Sequence, residues 1–224
     1  MSPAWSGPNG GFKGGLKTLS YFTAKALAWP IVKVYFRAAI HGRDLVPERG
    51  GFLLAANHFS FVDPVILGTM LPRRLRFVMA EDQFERPALR AFSRLMDVIP
   101  VQAGATFRLG PIKKCLTALK AGRVVAIFPE GQRSESGKLL PPMPGVGVLA
   151  ARSGVPVVPV AVAGTRETFP RGHRFPRPGR VTLFVGAPLT LAEGEAPDSL
   201  AQRAMGAIAG LLRENGFEDY VSEE

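Results

Sequence analysis

Residues 51–70 read GFLLAANHFSFVDPVILGTM, and this stretch decides the fold. Gly51 to Ala56 is a short apolar run of strand length. Pro64 to Met70 has the length and spacing of a helix, with Pro64 in the first turn, where its missing N–H costs nothing. Asn57 to Asp63 must turn the chain between them. The same alternation continues outward. Further strands are expected at Leu75–Met79, Val98–Val101, Arg123–Phe128, Val155–Val162 and Val181–Val185. Further helices are expected at Pro87–Leu95, Arg108–Lys120, Gly145–Arg152 and Pro197–Arg213. Strands alternating with helices predict an α/β domain, with a largely parallel or mixed sheet flanked by helices. Sites in such folds lie at strand ends.

Composition narrows the function classes. The chain has 224 residues, 46% of them hydrophobic and 21% charged, which excludes a disordered polymer. Its single cysteine excludes a disulfide framework and any zinc site built from several thiolates. That residue, Cys115, lies among Ile112, Leu116 and Leu119 at helical spacing and reads as core. Lysine and arginine number 28 against 18 acids. Residues 193–224 hold eight acids and two bases, so the body up to residue 192 carries +16. A basic body suits an anionic partner. No nucleic-acid motif is recognised, and the arginines are dispersed rather than interleaved with aromatics. The acidic stretch from Glu214 to Glu224 reads as a solvated helix end and terminus.

The first 40 residues form a unit of their own in this reading, a loose tail followed by two amphipathic helices, with the main domain over 41–224. On a helical wheel Leu16, Leu19, Phe22, Thr23, Ala26, Leu27 and Trp29 share an arc of about 160°. Lys13, Lys17, Ser20, Tyr21, Ala24 and Lys25 take the other side. Pro30 should end or kink this helix. A second stripe follows at Ile31, Val34, Tyr35 and Ala38. No apolar run reaches the roughly 18–20 residues of a spanning helix. The pair is expected either to lie in a membrane interface or to cover the core.

Two segments carry chemistry. In the first, Asp63 follows His58 by five residues, a step that does not share a helix face. Pro64 biases Asp63 toward an extended conformation, so a turn can fold its carboxylate back onto the imidazole. A carboxylate on Nδ1–H would fix the tautomer and leave Nε2 as a base. In the second, Phe128-Pro129-Glu130-Gly131-Gln132-Arg133-Ser134 ends an apolar strand. It places an acid, a turn glycine and an arginine together, as a polyol-phosphate cradle would need. Each segment alone also reads as an ordinary connection, Asp63-Pro64 serving as helix cap and N1 pair.

Together the segments resemble the glycerolipid acyltransferases, the 1-acyl-glycerol-3-phosphate acyltransferase family. The family's N-H-x-x-x-x-D motif is matched by Asn57, His58 and Asp63, and its F-P-E-G-x-R-S motif by Phe128, Pro129, Glu130, Gly131, Arg133 and Ser134. Its V-P-V-x-P-V element is similar to Val155–Val160, with Gly164-Thr165 following. The resemblance covers Ile40 to Leu189. It implies that His58 is a general base and Asp63 its orienting partner. It implies that Glu130, Gly131, Arg133 and Ser134 bind the acyl acceptor, with Asn57 and Gln102 as candidate supporting residues. It further implies a membrane-associated enzyme at the cytoplasmic face, without metal or cofactor. Acyl-CoA or acyl-carrier protein would be the donor, a lysophospholipid the acceptor, and a lipid surface the partner.

Three positions depart from the pattern. Gln102 and Glu81 stand where members often carry Arg and Lys, and Met143-Pro144 precede Gly145 where a Lys is common. Arg73, Arg74, Arg76, Arg94 and Arg108 are the candidates to replace that lost positive charge, or the acceptor is another lysolipid or a lipid amine. A non-catalytic lipid-binding module and a thioesterase are the competing expectations. No G-x-S-x-G, H-E-x-x-H or Walker sequence occurs.

Overall fold

The apolar runs of the sequence become strands of one seven-stranded sheet. The computed structural model describes residues 13–81, 83, 90, 93, 95–101, 109–170 and 172–221. Helix α1 (Lys13–Pro30) leads through a π-helical turn (Ile31–Tyr35) into β1 (Ala39–His41). Then come β2 (Phe52–Ala56), α2 (Asp63–Met70), β3 (Leu75–Ala80) and β4 (Ile99–Val101). They are followed by α3 (Leu109–Lys120), β5 (Val124–Ile127), α4 (Gly145–Ser153) and β6 (Val157–Ala163). A short α5 (Thr165–Thr168), β7 (Thr182–Val185) and α6 (Pro197–Glu214) complete the order. The helix expected over Pro87–Leu95 lies mostly outside the described residues.

The strand order is β1-β7-β6-β2-β5-β3-β4. Strands β2 to β6 run parallel, and β7 reverses against β6, carrying β1 beside it. Each of β2, β5, β6 and β7 is buried along its whole length. That is why these strands read as unbroken apolar runs, since helices cover both faces. Along β2 the faces alternate. Phe52, Leu54 and Ala56 join one core with Ile66 and Leu67 of α2 and Leu71 just after it. Leu53 and Ala55 join the other with Leu149 of α4 and Leu200, Ile208 and Leu212 of α6. Cys115 lies in that second core, where burial pushes its thiol up to about 11. The connections leaving the neighbouring strands β2 and β5 thus go to opposite faces. The carboxyl ends of β2 and β5, where these connections part, are the usual place for a site in an α/β sheet.

The N-terminal segment departs from expectation in two ways. The second helix of the expected pair is a five-residue π-helical turn. Pro30 has no N–H to give to the preceding turn, and the ladder resumes one residue wider, with Phe36 N–H on Ile31 O at 3.4 Å. The segment is also not separate from the body. Tyr21, Val32, Phe36 and Ala38 belong to the α2-side core, and a boundary at residue 40 would fall inside β1.

Helix α1 packs by its more polar side. Tyr21 is buried, its hydroxyl donating to Gly68 O at 3.2 Å, and Lys25 Nζ donates to Leu71 O. The apolar arc faces outward. Leu19, Phe22, Leu27 and Trp29 are exposed, as are Ile31, Val34 and Tyr35 of the following turn. Among the described residues no helix is long and apolar enough to cross a membrane.

Helices α4 and α6 meet closely at Gly147. A Cβ there would stand 1.7 Å from the backbone oxygen of Pro197, at the start of α6. Backbone cannot rotate away as a side chain can. Gly147→Ala should therefore cost about 3 kcal/mol, the upper range for overpacking. A urea midpoint unchanged from the parent would contradict this crossing.

Candidate active site

The turn after β2 does fold Asp63 back. His58 Nδ1 lies 2.8 Å from Asp63 Oδ2, and the Phe59 and Ser60 N–H groups donate to that same oxygen, each at 2.8 Å. Asp63 is fully buried and is the first residue of α2, so the helix dipole also favours its negative charge. The His58 side chain retains 17% exposure, enough for a reactant to reach it. Its ring stacks on Phe128 at 3.9 Å between centroids, and Phe128 in turn lies parallel to Phe77. With Nδ1 given to Asp63, Nε2 is the nitrogen left to accept a proton.

Asn57 faces away from this chemistry. Its side-chain amide donates to Val162 O at 2.8 Å and accepts from Val162 N–H at 2.7 Å. It therefore replaces backbone pairing where β2 leaves β6, and fixes the strand end from which His58 projects.

The loop after β5 holds the His58 backbone. Glu130 Oε1 accepts from His58 N–H at 2.7 Å, and Ser134 N–H donates to His58 O at 3.0 Å. Glu130 Oε2 accepts from Leu140 N–H at 3.0 Å. Glu130 is buried and gives one bond from each carboxyl oxygen to main chain, so its first role here is to hold the backbone. Burial pushes its carboxyl up to about 7, against the pull of the two N–H donors and with a smaller upward push from the Asp63 charge. Gly131 turns the loop with φ +71°, and a Cβ there would lie 2.3 Å from Met143 Sδ. Arg133 lays its guanidinium over the Phe61 ring at 3.5 Å, on the rim of the His58 turn. Ser134 Oγ is 3.3 Å from Ser136 Oγ.

The replacement arginines are elsewhere. Arg73 donates to the carbonyls of Pro47, Gly50 and Gly122, at the sheet edge opposite His58. Arg74 stacks on Tyr21 and Arg76 pairs with Asp97 at 2.7 Å. Gln102, Arg94 and Arg108 lie outside the described residues. Glu81 is exposed just past β3, on the edge that carries His58.

Sequence reasoning missed Tyr220. It falls in the stretch read as a solvated terminus, yet it is buried and forms an edge-to-face contact with Phe59 at 5.0 Å. Its backbone oxygen accepts from Leu139 N–H at 2.8 Å, beside the Leu140 that bonds Glu130. Its hydroxyl accepts from Gly164 N–H at 2.9 Å and donates to Glu167. An aromatic within an acidic run, Phe217 and Tyr220 together, was the available signal.

The family model described as acyltransferase matches residues 37–163, more than half of the chain and both loops just described. The chain belongs to the acyltransferase family. Acyltransferases similar to it include a chloroplast 1-acyl-sn-glycerol-3-phosphate acyltransferase of Brassica napus, 29% identical over 84% of this chain and 55% of that one. Another, from Bacillus subtilis, is 27% identical over 69% of this chain and 74% of its own. The chain spans about half the length of the plant chloroplast relatives it matches. Its fold is that of the 1-acyl-sn-glycerophosphate (LPA) acyltransferase PlsC from Thermotoga maritima. The TM-score is 0.66 at 23% identity, over 91% of this chain and 89% of that structure.

Glu130 staples the His58 N–H to the Leu140 N–H, and its carboxyl gives a test of that staple. In the folded acyltransferase it keeps its proton up to about 7, while the unfolded group releases it near 4.5. The folded state then binds more protons between those values, so stability falls as pH rises across them. Glu130→Gln cannot titrate. Urea melts of the parent minus the variant should therefore decline from about pH 4.5 to 7. A difference independent of pH would place the carboxyl in water.

Proposed function

We propose that this acyltransferase moves a fatty acyl group from a thioester, acyl-CoA or acyl-carrier protein, to a hydroxyl of 1-acyl-glycerol-3-phosphate. The reading is carried by one observation, the 2.8 Å contact of His58 Nδ1 with a buried Asp63 at the carboxyl end of β2. His58 Nε2 takes the acceptor hydroxyl proton as the oxygen attacks the thioester carbonyl. The tetrahedral adduct collapses, the C–S bond breaks, and the imidazolium returns the proton to the departing thiolate. Protons and electron pairs balance with the histidine alone. Asp63 holds the ring in its tautomer and stabilises the imidazolium while it exists.

The curated relatives named for 1-acyl-sn-glycerol-3-phosphate supply the acceptor class. Arg133 supports it, as a guanidinium on the rim able to grip a phosphate. Gly131, Ser134 and the Glu130 staple shape the loop that carries it. A second acceptor reading is favoured by the rim charge. Arg73, Arg74 and Arg76 are engaged elsewhere and Glu81 is acidic, which suits another lysolipid or a lipid amine. A panel of lysolipids and lipid amines with either donor separates the two readings.

His58→Ala should lower turnover at least about 100-fold while circular dichroism keeps the folded spectrum, as expected for loss of a general base. Full activity in that variant would dispose of the mechanism.

The outward apolar arc of α1 and its π-helical turn supports a membrane interface rather than a core cover, because the core side is taken by Tyr21 and Lys25. Leu27→Ser with Trp29→Ser should reduce vesicle binding by at least about tenfold, given the apolar area removed. Unchanged co-sedimentation would remove this segment from the lipid contact.

A further inference from the structure

Between α5 and β7 the chain runs over the surface at the sheet edge that carries His58. Residues 171–180 hold four arginines, one histidine and two prolines, and no acid occurs between Glu167 and Glu193. Phe175 is 76% exposed, and Arg174, Arg177 and Arg180 are exposed beside it. Arg177 shares one N–H with His173 Nε2 at 3.0 Å and keeps its other donors. Such a loop carries an aromatic wedge ringed by cations.

Its attachments tie it to two places. Tyr35 OH donates to Pro176 O at 2.7 Å, Gly179 N–H to Tyr35 O at 3.2 Å, and Val181 N–H to Phe36 O at 3.0 Å. The loop therefore rides on the π-helical turn whose Ile31 and Val34 face outward. At its other end Ser60 Oγ donates to Phe169 O at 2.9 Å, and Arg177 N–H donates to Thr168 O at 2.6 Å. Ser60 is one of the donors to Asp63. One strap thus joins the outward apolar turn to the His58 turn.

We propose that the loop Gly172–Arg180 is a second lipid-contacting element, entering a leaflet of anionic phospholipid with Phe175 and selecting its phosphate headgroups with Arg174, Arg177 and Arg180. The proposal rests on the reading of α1 as lipid-facing and adds the loop and its headgroup preference. A polyanion such as nucleic acid would satisfy the arginines but leave Phe175, Ile31 and Val34 in water. An anionic leaflet satisfies both at one surface, with the prolines limiting what ordering costs.

The test uses the full chain and vesicles of phosphatidylcholine, with or without about 30% phosphatidylglycerol, at about 0.1 M salt. The parent should prefer the anionic vesicles. Arg174→Gln/Arg177→Gln/Arg180→Gln should erase most of that preference, at about fivefold per arginine. Phe175→Ser should weaken binding to both vesicle types several-fold. Turnover of a short-chain lysophosphatidic acid in free solution should stay at the parental level in both variants. Parental binding and preference in these variants would overturn the loop's role. The α1 reading would then survive if Leu27→Ser/Trp29→Ser still releases the protein. Loss of turnover in free solution would assign the loop to the site instead. A parent that binds neither vesicle would overturn both readings.

Discussion

The constraint on which the site depends is the main chain of His58. Its N–H is held by Glu130 and its carbonyl by Ser134, both from the loop after β5, while its ring is held by Asp63 and Phe128. A turn of six residues between strand and helix has many conformations open to it. Four fixed points reduce these to one, and they come from two segments that meet only because β2 and β5 are neighbours. The conformational entropy of ordering such a turn is of order 1–2 kcal/mol per residue. The bonds to the buried Asp63 and Glu130 carboxyls work against that cost. Preorganisation of the histidine is thus a property of the sheet order.

Much of this was legible in the residues. The strands β2, β5 and β6 were plain because a parallel sheet covered on both faces demands unbroken apolar runs. The five-residue spacing left room for Asp63 to approach His58, but the extended conformation expected before Pro64 is not adopted, because Asp63 is already the first residue of α2. What escaped notice was short or long-range. Strand β1 has three residues and pairs with a strand far along the chain, so no local pattern marks it. The direction of Glu130 could not be read from its motif, since a carboxylate serves an acceptor or a backbone N–H equally well. The arginines from 73 to 76 look like a phosphate grip in sequence. Their position at the strand starts sends them to the opposite edge of the sheet.

Helix α1 makes a related point about amphipathicity. The wheel correctly separated an apolar from a polar side but left open which side met the protein. Tyr21 and Lys25 settle it by finding backbone carbonyls on α2 and the residue after it. A buried phenol and a half-buried ammonium are tolerable because each has an acceptor. The more hydrophobic side is left outward, opposite to the rule for a helix that simply roofs a core.

The buried Tyr220 extends the scaffold of the His58 turn nearly to the end of the described chain. The family match stops at residue 163, yet β7 covers the edge of β6 and α6 roofs the sheet. Tyr220 then props Phe59 from one side and the Glu130 loop from the other. The span of the family model therefore leaves out chain that completes the scaffold around His58. A fragment trimmed to residues 37–163 would bare a strand edge and an apolar sheet face at once, the two features that drive chains to aggregate.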